Sequence, residues 1–289
     1  MPEFLSWFIE PFAYPFMLRA LYAALIVGVA TPVLGTYVVL RGMAFFGDAL
    51  AHIILPGVVI AFLLGWPLVI GALVIGIAAA LLIGAISRHT DIKEDAAIGV
   101  VFAGAFALGV ALISTQRSYA VDLSHILFGD VLGVATSDLW MMAGIGFVVL
   151  VLIFAFYKEF LVLSFDPNLA ATLRLPVSFL HNLLLVLLAA VIVLSIQAVG
   201  VALVLAMLVT PASTAYMLTR RLPTMMLFSA GIGVVSSALG LVFSFHWNIA
   251  SGPAIVLVET VFFAIIFLLA PGRGLLARWR LAHARDAAS

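Results

Sequence analysis

The chain has 289 residues, of which 66% are hydrophobic and only 9% are charged, whereas about a quarter of the residues in a soluble domain carry charge. Basic and acidic residues balance at 13 each, so the composition gives no indication of a nucleic-acid partner. The absence of cysteine excludes disulfides, thiolate nucleophiles and iron–sulfur clusters. The composition therefore predicts an integral membrane protein without thiol chemistry.

The N-terminal segment, residues 1–17, combines aromatic side chains with prolines. Phe4, Phe8 and Phe12 recur at helical spacing, and Pro11 and Pro15 interrupt the pattern. Such a segment is typical of a short element lying in the membrane interface. A disordered terminus is the alternative.

Long apolar stretches occupy most of the remaining chain. A transmembrane helix needs about 20 mainly apolar residues, and the sequence contains about nine such stretches, with eight to ten as the defensible range. The fold predicted is an all-α polytopic bundle forming one transmembrane domain over residues 1–289. The break at Trp66-Pro67 joins or separates two helices, and the stretch 121–136 is a candidate for a short or re-entrant segment. The predicted spans are 18–40, 47–65, 67–87, 96–114, 138–157, 177–195, 200–219, 224–244 and 252–270.

Basic residues favour the cytoplasmic side of a membrane protein. With the N-terminus outside, only Arg19 and Arg117 fall on the outer side. This asymmetry predicts an outer N-terminus and a cytoplasmic tail over residues 272–289. The basic residues then placed in the cytoplasm are Arg41, Arg88, Lys93, Lys158, Arg174, Arg220, Arg221, Arg273, Arg278, Arg280 and Arg285.

Asp48 and His52 lie inside the second predicted span. Ionisable groups at membrane depth are costly, so each is a functional candidate. A spacing of four residues places both side chains on one helix face, where they can reach a single ion. Carboxylate and imidazole suit Mn²⁺, Fe²⁺ or Zn²⁺, and the helix-breaking Pro56-Gly57 downstream is typical of a cavity lining. The alternative is a structural hydrogen bond between the Asp48 and His52 side chains.

Three further acidic or histidine residues are weaker candidates for metal binding. Glu259 lies about two turns into the last span, where it is a third ligand, a proton acceptor, or the partner of a serine or threonine across the bundle. His125 and Asp130 belong to the outer segment 122–130. That segment either receives an ion or consists of solvated loop groups, with Asp122 as a helix N-cap.

The loop 158–176 contains signals for a short helix on the cytoplasmic surface. Asp166 is a good N-cap, Pro167 fits the first turn and Pro176 stops the helix. A helix this short gains its stability by docking, either on a partner or on lipid. No G-x-x-x-x-G-K-[ST] motif is present, because neither lysine follows a glycine, so we expect any energy-coupling domain on another chain.

Four segments together resemble the permeases of bacterial ABC transporters for manganese, zinc and related metals, the metal-specific ABC-3 family. The most specific runs from Arg41 to His52 and continues into Leu55-Pro56-Gly57. Arg174 is a departure, because such permeases often have glycine there. The other three segments are Leu127-Phe128-Gly129, Phe165-Asp166-Pro167, and Val199-Gly200 through Thr210-Pro211-Ala212.

The resemblance implies a permease of the type II ABC importer kind in the bacterial cytoplasmic membrane. It implies a homodimer, a separate pair of cytoplasmic ATPase subunits and an extracytoplasmic metal-binding lipoprotein, with no cofactor held by this chain beyond the transported Mn²⁺ or Zn²⁺. Carried over onto this sequence, it makes Asp48 and His52 metal-contacting groups. The coupling residues it implies are Asp166, Pro167, Asn168, Leu169, Ala170, Thr172, Leu173 and Arg174.

Two other interpretations remain open at this point. A proton-coupled secondary transporter would use Glu259 as the proton carrier and Asp48 with His52 as the ion site. An intramembrane structural protein would need a reason to keep an Asp and a His beside a helix break.

The depth of Asp48 follows from the predicted bounds of its span. A span that begins at residue 47 places Asp48 close to the cytoplasmic end of the second helix.

Overall fold

The computed structural model describes residues 7–115, 131–270 and 274, and within them the chain is helical, with no strand. Short 3₁₀ turns lie at Glu10–Ala13 and Val131–Gly133. The α-helices are α1 (Pro15–Arg41), α2 (Ala44–Ile53), α3 (Leu55–Leu64), α4 (Leu68–His89), α5 (Glu94–Ser114), α6 (Thr136–Ala155), α7 (Tyr157–Phe165), α8 (Pro167–Thr172), α9 (Val177–Val199), α10 (Val201–Leu218), α11 (Leu222–Trp247) and α12 (Ser251–Leu269).

Eight candidate membrane spans are present among the described residues, which lies within the predicted range of eight to ten. They are α1, α2 together with α3, α4, α5, α6, α9, α11 and α12. The remaining predicted span, 200–219, corresponds to α10, whose apolar part, Val204–Leu218, is shorter. The candidate re-entrant stretch 121–136 falls mostly outside the described residues.

The second span is divided and begins earlier than predicted. It starts at Ala44 instead of residue 47, and the break lies at Ile54. Pro56 has no N–H to donate to the carbonyl of His52, so the helix is interrupted upstream of the proline. At the other end Gly65 takes a positive φ of 67°, which ends α3 and separates it from α4.

Small residues let the central helices approach closely. Helix α1 packs against α6, α9, α10 and α11, and most of its residues are buried. A Cβ added at Gly28 or at Gly233 would collide with the carbonyl of the other, and Gly57 and Gly71 stand in the same relation between α3 and α4. These pairs therefore fix backbone-to-backbone crossings, as small residues do in membrane proteins.

Buried hydroxyl groups tie α1 to its neighbours. Thr31 and Ser195 share a hydrogen bond of 2.9 Å between α1 and α9. From α11, Ser229 donates to the carbonyl of Pro32 at 3.0 Å and Ser237 to that of Ala24 at 3.1 Å. Interhelical hydrogen bonds in membrane proteins contribute about 0.6 kcal/mol each on average, so they add to packing and do not replace it.

Candidate functional site

The Asp48–His52 pair lies on α2, directly after the turn that ends α1. Gly42 takes a positive φ of 68°, and α2 begins two residues later at Ala44. Both side chains are half-buried, while Phe46, Ala49 and Leu50 of the same helix are buried in the core. The helix thus anchors one face and leaves Asp48 and His52 on an accessible one.

His52 is held by its own helix. Its Nδ1 lies 2.9 Å from the main-chain carbonyl oxygen of Asp48. A carbonyl oxygen can only accept, so Nδ1 carries the hydrogen and Nε2 presents the lone pair of the neutral ring. The predicted alternative, a hydrogen bond between the two side chains, is not the arrangement in the structure. Within the described part of the chain no hydrogen bond is made by the Asp48 carboxylate or by His52 Nε2, an arrangement that suits metal ligands.

Two phenylalanines of α5 contact the imidazole ring. Phe102 and Phe106 stand edge-on to His52, with ring centroids 5.8 Å and 6.1 Å away. They occupy the middle of α5, a helix of 21 residues. At 1.5 Å per residue His52 is therefore level with a point about 15 Å from either end of that helix. Asp48, one turn earlier, is only four residues from the start of the divided span Ala44–Leu64.

One chain does not supply a complete metal site. No group of three or more histidine, aspartate or glutamate side chains positioned to hold a metal occurs among the described residues. Asp48 and His52 provide one oxygen group and one nitrogen. Asp48 and His52 are only half-buried, and Phe106, whose ring contacts His52, is 39% exposed, so the pair stands near the edge of the protomer and not at its centre.

Glu259 does not join the pair. Helix α10 packs against both α2 and α12, and Glu259 is 0% exposed on the inner face of α12. Both of its carboxyl oxygens are buried without a hydrogen-bond partner among the described residues, and so is the hydroxyl of Ser236. Ile255 packs on Gly240, and four residues further along the antiparallel helices Glu259 comes level with Ser236. The register brings the two residues to the same level, but no hydrogen bond joins them among the described residues.

The two remaining candidates, His125 and Asp130, lie outside the described residues. His246 is described at the end of α11. Its Nε2 lies 2.8 Å from the carbonyl oxygen of Trp7, and the two rings stack at 4.2 Å. The N-terminal segment therefore packs on the end of α11 that was predicted to lie outside.

The predicted short helix forms as α8, with Asp166 as its N-cap. The carboxylate of Asp166 accepts hydrogen bonds from the main-chain nitrogens of Asn168 and Leu169, at 2.9 Å and 3.0 Å. Leu169 and Leu173 expose about half of their surface, whereas Ala170 is fully buried. Burial of Ala170 anchors the helix on the rest of the protein. Leu169 and Leu173 form an exposed apolar surface of the kind that suits a partner.

Arg174 ends α8 in the left-handed conformation, with φ of 57°. Its N–H bonds the carbonyl of Ala171, and the N–H of Leu175 bonds that of Ala170, each at 3.0 Å. This is the Schellman pattern, whose left-handed residue is usually glycine. The left-handed backbone at this position explains why glycine is expected here from the resemblance. Arg174 adopts the same backbone conformation without being glycine.

The comparison with protein families covers nearly the whole fold: the model of the ABC 3 transport family matches residues 13–270. The chain belongs to the ABC 3 transport family. It is a metal ABC transporter permease and a multi-pass membrane protein.

Relatives within the family are similar along their entire length. The manganese transport system membrane protein MntC of Halalkalibacterium halodurans is 46% identical, with 99% of this chain and 98% of that protein covered. The chelated iron transport system membrane protein YfeD of Yersinia pestis is 45% identical, with 90% of this chain and 87% of that protein covered.

A solved structure shares the fold. PsaBC from Streptococcus pneumoniae in complex with Fab is 41% identical, with a TM-score of 0.83, and the alignment covers 93% of this chain and 97% of that one. The architecture predicted from the sequence, a helical bundle of the ABC permease kind, is therefore confirmed.

Sequence reasoning missed the two phenylalanines that contact His52. Phe102 and Phe106 are four residues apart in the span 96–114 and share one helix face. That spacing indicates an aromatic stripe along one face of the helix. Aromatic pairs at this spacing are common in apolar helices, so the stripe alone does not indicate a site. Only the packing of α5 on α2 distinguishes this pair.

Proposed function

We propose that this chain is the permease subunit of an ABC importer that moves Mn²⁺ into the cytoplasm. The observation that carries the proposal is the Asp48–His52 pair: one carboxylate and one imidazole nitrogen, both uncommitted and level with the middle of a membrane helix. Oxygen and nitrogen ligands of this kind accept Mn²⁺ and other divalent transition metals. The manganese systems among the relatives support this choice of ion.

Fe²⁺ is the second candidate, and the chelated-iron relative favours it. Carboxylate and imidazole bind both ions, and the general affinity order places Fe²⁺ above Mn²⁺ and Zn²⁺ above either. Selectivity then resides in ligand geometry or in a separate capture protein, and affinity at the pair does not decide it. Zn²⁺ is the ion against which the preference has to be measured.

The proposed complex contains two permease copies. A single chain offers two ligands, and the pair stands at the protomer edge, so a second copy would bring a matching Asp48 and His52 to the same path. Two cytoplasmic ATPase subunits would bind the exposed leucines of α8, and an extracytoplasmic lipoprotein would deliver the ion. ATP hydrolysis belongs to the separate ATPase subunits.

The proposed orientation places the N-terminus outside and the C-terminus in the cytoplasm. Arg41, Glu94 and His181, from three helix ends predicted to be cytoplasmic, lie together, and Trp7 contacts His246 at two ends predicted to be outer. The two groups of helix ends therefore support the prediction that the first group lies on one side of the membrane and the second on the other. Transport then proceeds by alternating access, in which α8 transmits the movement of the ATPase to the helices around the pair.

The experiment is uptake of radioactive manganese by proteoliposomes holding the complex of this chain, its ATPase and the capture protein. We expect uptake that requires ATP on the ATPase side and is unaffected by a protonophore. Uptake by this chain alone that a protonophore abolishes would instead establish the proton-coupled alternative.

Competition with unlabelled ions then identifies the substrate. Unlabelled Mn²⁺ is expected to compete at lower concentration than Zn²⁺, with Fe²⁺, kept reduced, between them. A preference for Zn²⁺ in the complete complex would leave the permease assignment in place and replace the ion.

A further inference from the structure

Three charged or titratable side chains from three helices meet at the end of the bundle where α1 finishes. Nη2 of Arg41, the last residue of α1, lies 2.9 Å from Nδ1 of His181 in α9. Nε2 of His181 lies 3.6 Å from Oε1 of Glu94, the first residue of α5. His181 is 9% exposed. Its imidazole therefore bridges α1 and α5 from a buried position.

The bridge has a fixed polarity. A guanidinium group can only donate, so Nδ1 of His181 accepts from Arg41. The ring hydrogen then sits on Nε2, on the side of Glu94, whose Oε1 at 3.6 Å lies just beyond hydrogen-bond distance. A residue that replaces His181 must accept a hydrogen bond from Arg41, present a donor toward Glu94, and have a side chain of similar length.

The same cluster holds the parts of a second arrangement. Nη1 of Arg41 and Oε1 of Glu94 are both buried without a hydrogen-bond partner among the described residues. A donor and an acceptor left over in this way can pair directly, as an arginine–carboxylate bridge, when α5 moves toward the end of α1. The cluster thus has two pairings: one through His181 and one that releases it.

Both sides of the bridge lead to functional parts of the chain. On one side, α9 follows α8 after Pro176, and His181 lies just beyond its first turn. On the other, Glu94 begins α5, the helix that carries Phe102 and Phe106 about two and three turns later, and those rings contact His52. A shift of α9 can therefore reach the imidazole of the metal pair through a single helix.

We infer that His181 is a positioning residue that links α8 to the Asp48–His52 pair, because it stands between Arg41 and Glu94 at the start of the α5 helix that packs on His52. The inference rests on the proposed function, since it concerns how ATP hydrolysis on the partner reaches the ion. A purely structural bridge would stabilise the bundle without affecting the number of ions moved per ATP.

The test compares variants of the complete complex in one proteoliposome assay that records both radioactive manganese uptake and ATP hydrolysis. His181→Leu removes the bridge, and His181→Gln keeps one acceptor and one donor at similar reach. His89→Leu is the matched control, because His89 lies exposed at the end of α4 and bonds only the Ala85 carbonyl of its own helix. We expect His181→Leu to lower the manganese moved per ATP at least about fivefold, with ATP hydrolysis close to native. The His181→Gln and His89→Leu complexes should keep the native ratio.

His181→Asn provides a second variant in case the leucine prevents assembly. Asparagine keeps the polar groups but is too short to bridge Arg41 and Glu94, so it should also lower the ratio. A native ratio in an assembled His181→Leu or His181→Asn complex overturns the inference. A parallel fall of uptake and hydrolysis, with a lower unfolding temperature, also overturns it, because that is the signature of a structural role. Absence of manganese uptake in the native complex would refute the proposed function itself, and the inference with it.

Discussion

His52 donates its Nδ1 hydrogen to the main-chain carbonyl of Asp48, one helical turn earlier, at 2.9 Å. This bond orients the ring, and in the proposed site it leaves Nε2 as the nitrogen that would meet a metal ion. The orientation of the ring thus comes from α2 itself, and among the described residues no distant carboxylate contributes to it. Its second support is aromatic, from Phe102 and Phe106 of α5.

Phe102→Ala should weaken metal binding while leaving the complex assembled. Aromatic ring contacts are worth about 0.5–1.5 kcal/mol, so the manganese concentration for half-maximal uptake should rise by about twofold to tenfold. Phe147→Ala is the control, because Phe147 is an exposed phenylalanine of α6. An unchanged half-maximal concentration in Phe102→Ala would show that the ring contact does not position His52.

Arg174→Gly should stabilise the permease. Arg174 holds φ at 57°, and a left-handed L-residue costs about 1 kcal/mol that glycine avoids. We expect a higher midpoint of thermal unfolding in detergent for Arg174→Gly. Arg220→Gly, at an exposed arginine without a positive φ, should give no increase. A lower midpoint for Arg174→Gly would mean that the arginine side chain contributes more than the backbone strain costs.

Gly57→Ala should destabilise the contact between α3 and α4. A Cβ at Gly57 collides with the main-chain carbonyl of Gly71, so the helices must separate and lose their close packing. Gly104→Ala is the matched control, since nothing lies within 4 Å of its added Cβ and alanine favours a helix interior by about 1 kcal/mol. The midpoint of thermal unfolding should be lower than native for Gly57→Ala and equal to or higher than native for Gly104→Ala. The reverse order would contradict the close packing assigned to the crossing of α3 and α4.

Glu259→Gln should leave manganese uptake close to native. The change removes the ionisable group but keeps the size of the side chain, and α10 packs between α12, which carries Glu259, and α2, which carries the proposed metal pair. An ABC importer does not need a proton carrier at this position. Loss of uptake in an assembled Glu259→Gln complex would support a cation or proton role for Glu259, as the secondary-transport alternative requires.

Hydropathy and residue spacing predicted most of the architecture and the placement of Asp48 and His52 on one helix face. The spans follow from apolar length, and the shared face follows from a four-residue spacing inside one span. The structural alternative, a hydrogen bond between the two side chains, is not the arrangement found, because the imidazole bonds the backbone and not the carboxylate. A spacing places two side chains on one face but does not choose their hydrogen-bond partners.

Features that depend on packing between helices could not be predicted. Arg41 and His181 are 140 residues apart, and no local pattern in either segment indicates the other. The depth of His52 also required the packing of α5 on α2. Arg174 is an intermediate case, because the family resemblance indicated glycine and the structure supplies the reason in a positive φ.

The most direct test of the account is manganese uptake by the assembled, ATP-hydrolysing complex carrying Asp48→Asn or His52→Leu. Each change removes one ligand, and even residues that merely support ligands cost about tenfold to 100-fold when changed. We therefore predict uptake reduced at least about tenfold in each variant, with native uptake in two controls at exposed positions, His89→Leu at the end of α4 and Asp91→Asn just after it. Native uptake in either Asp48→Asn or His52→Leu would contradict the assignment of the pair as the metal-contacting site.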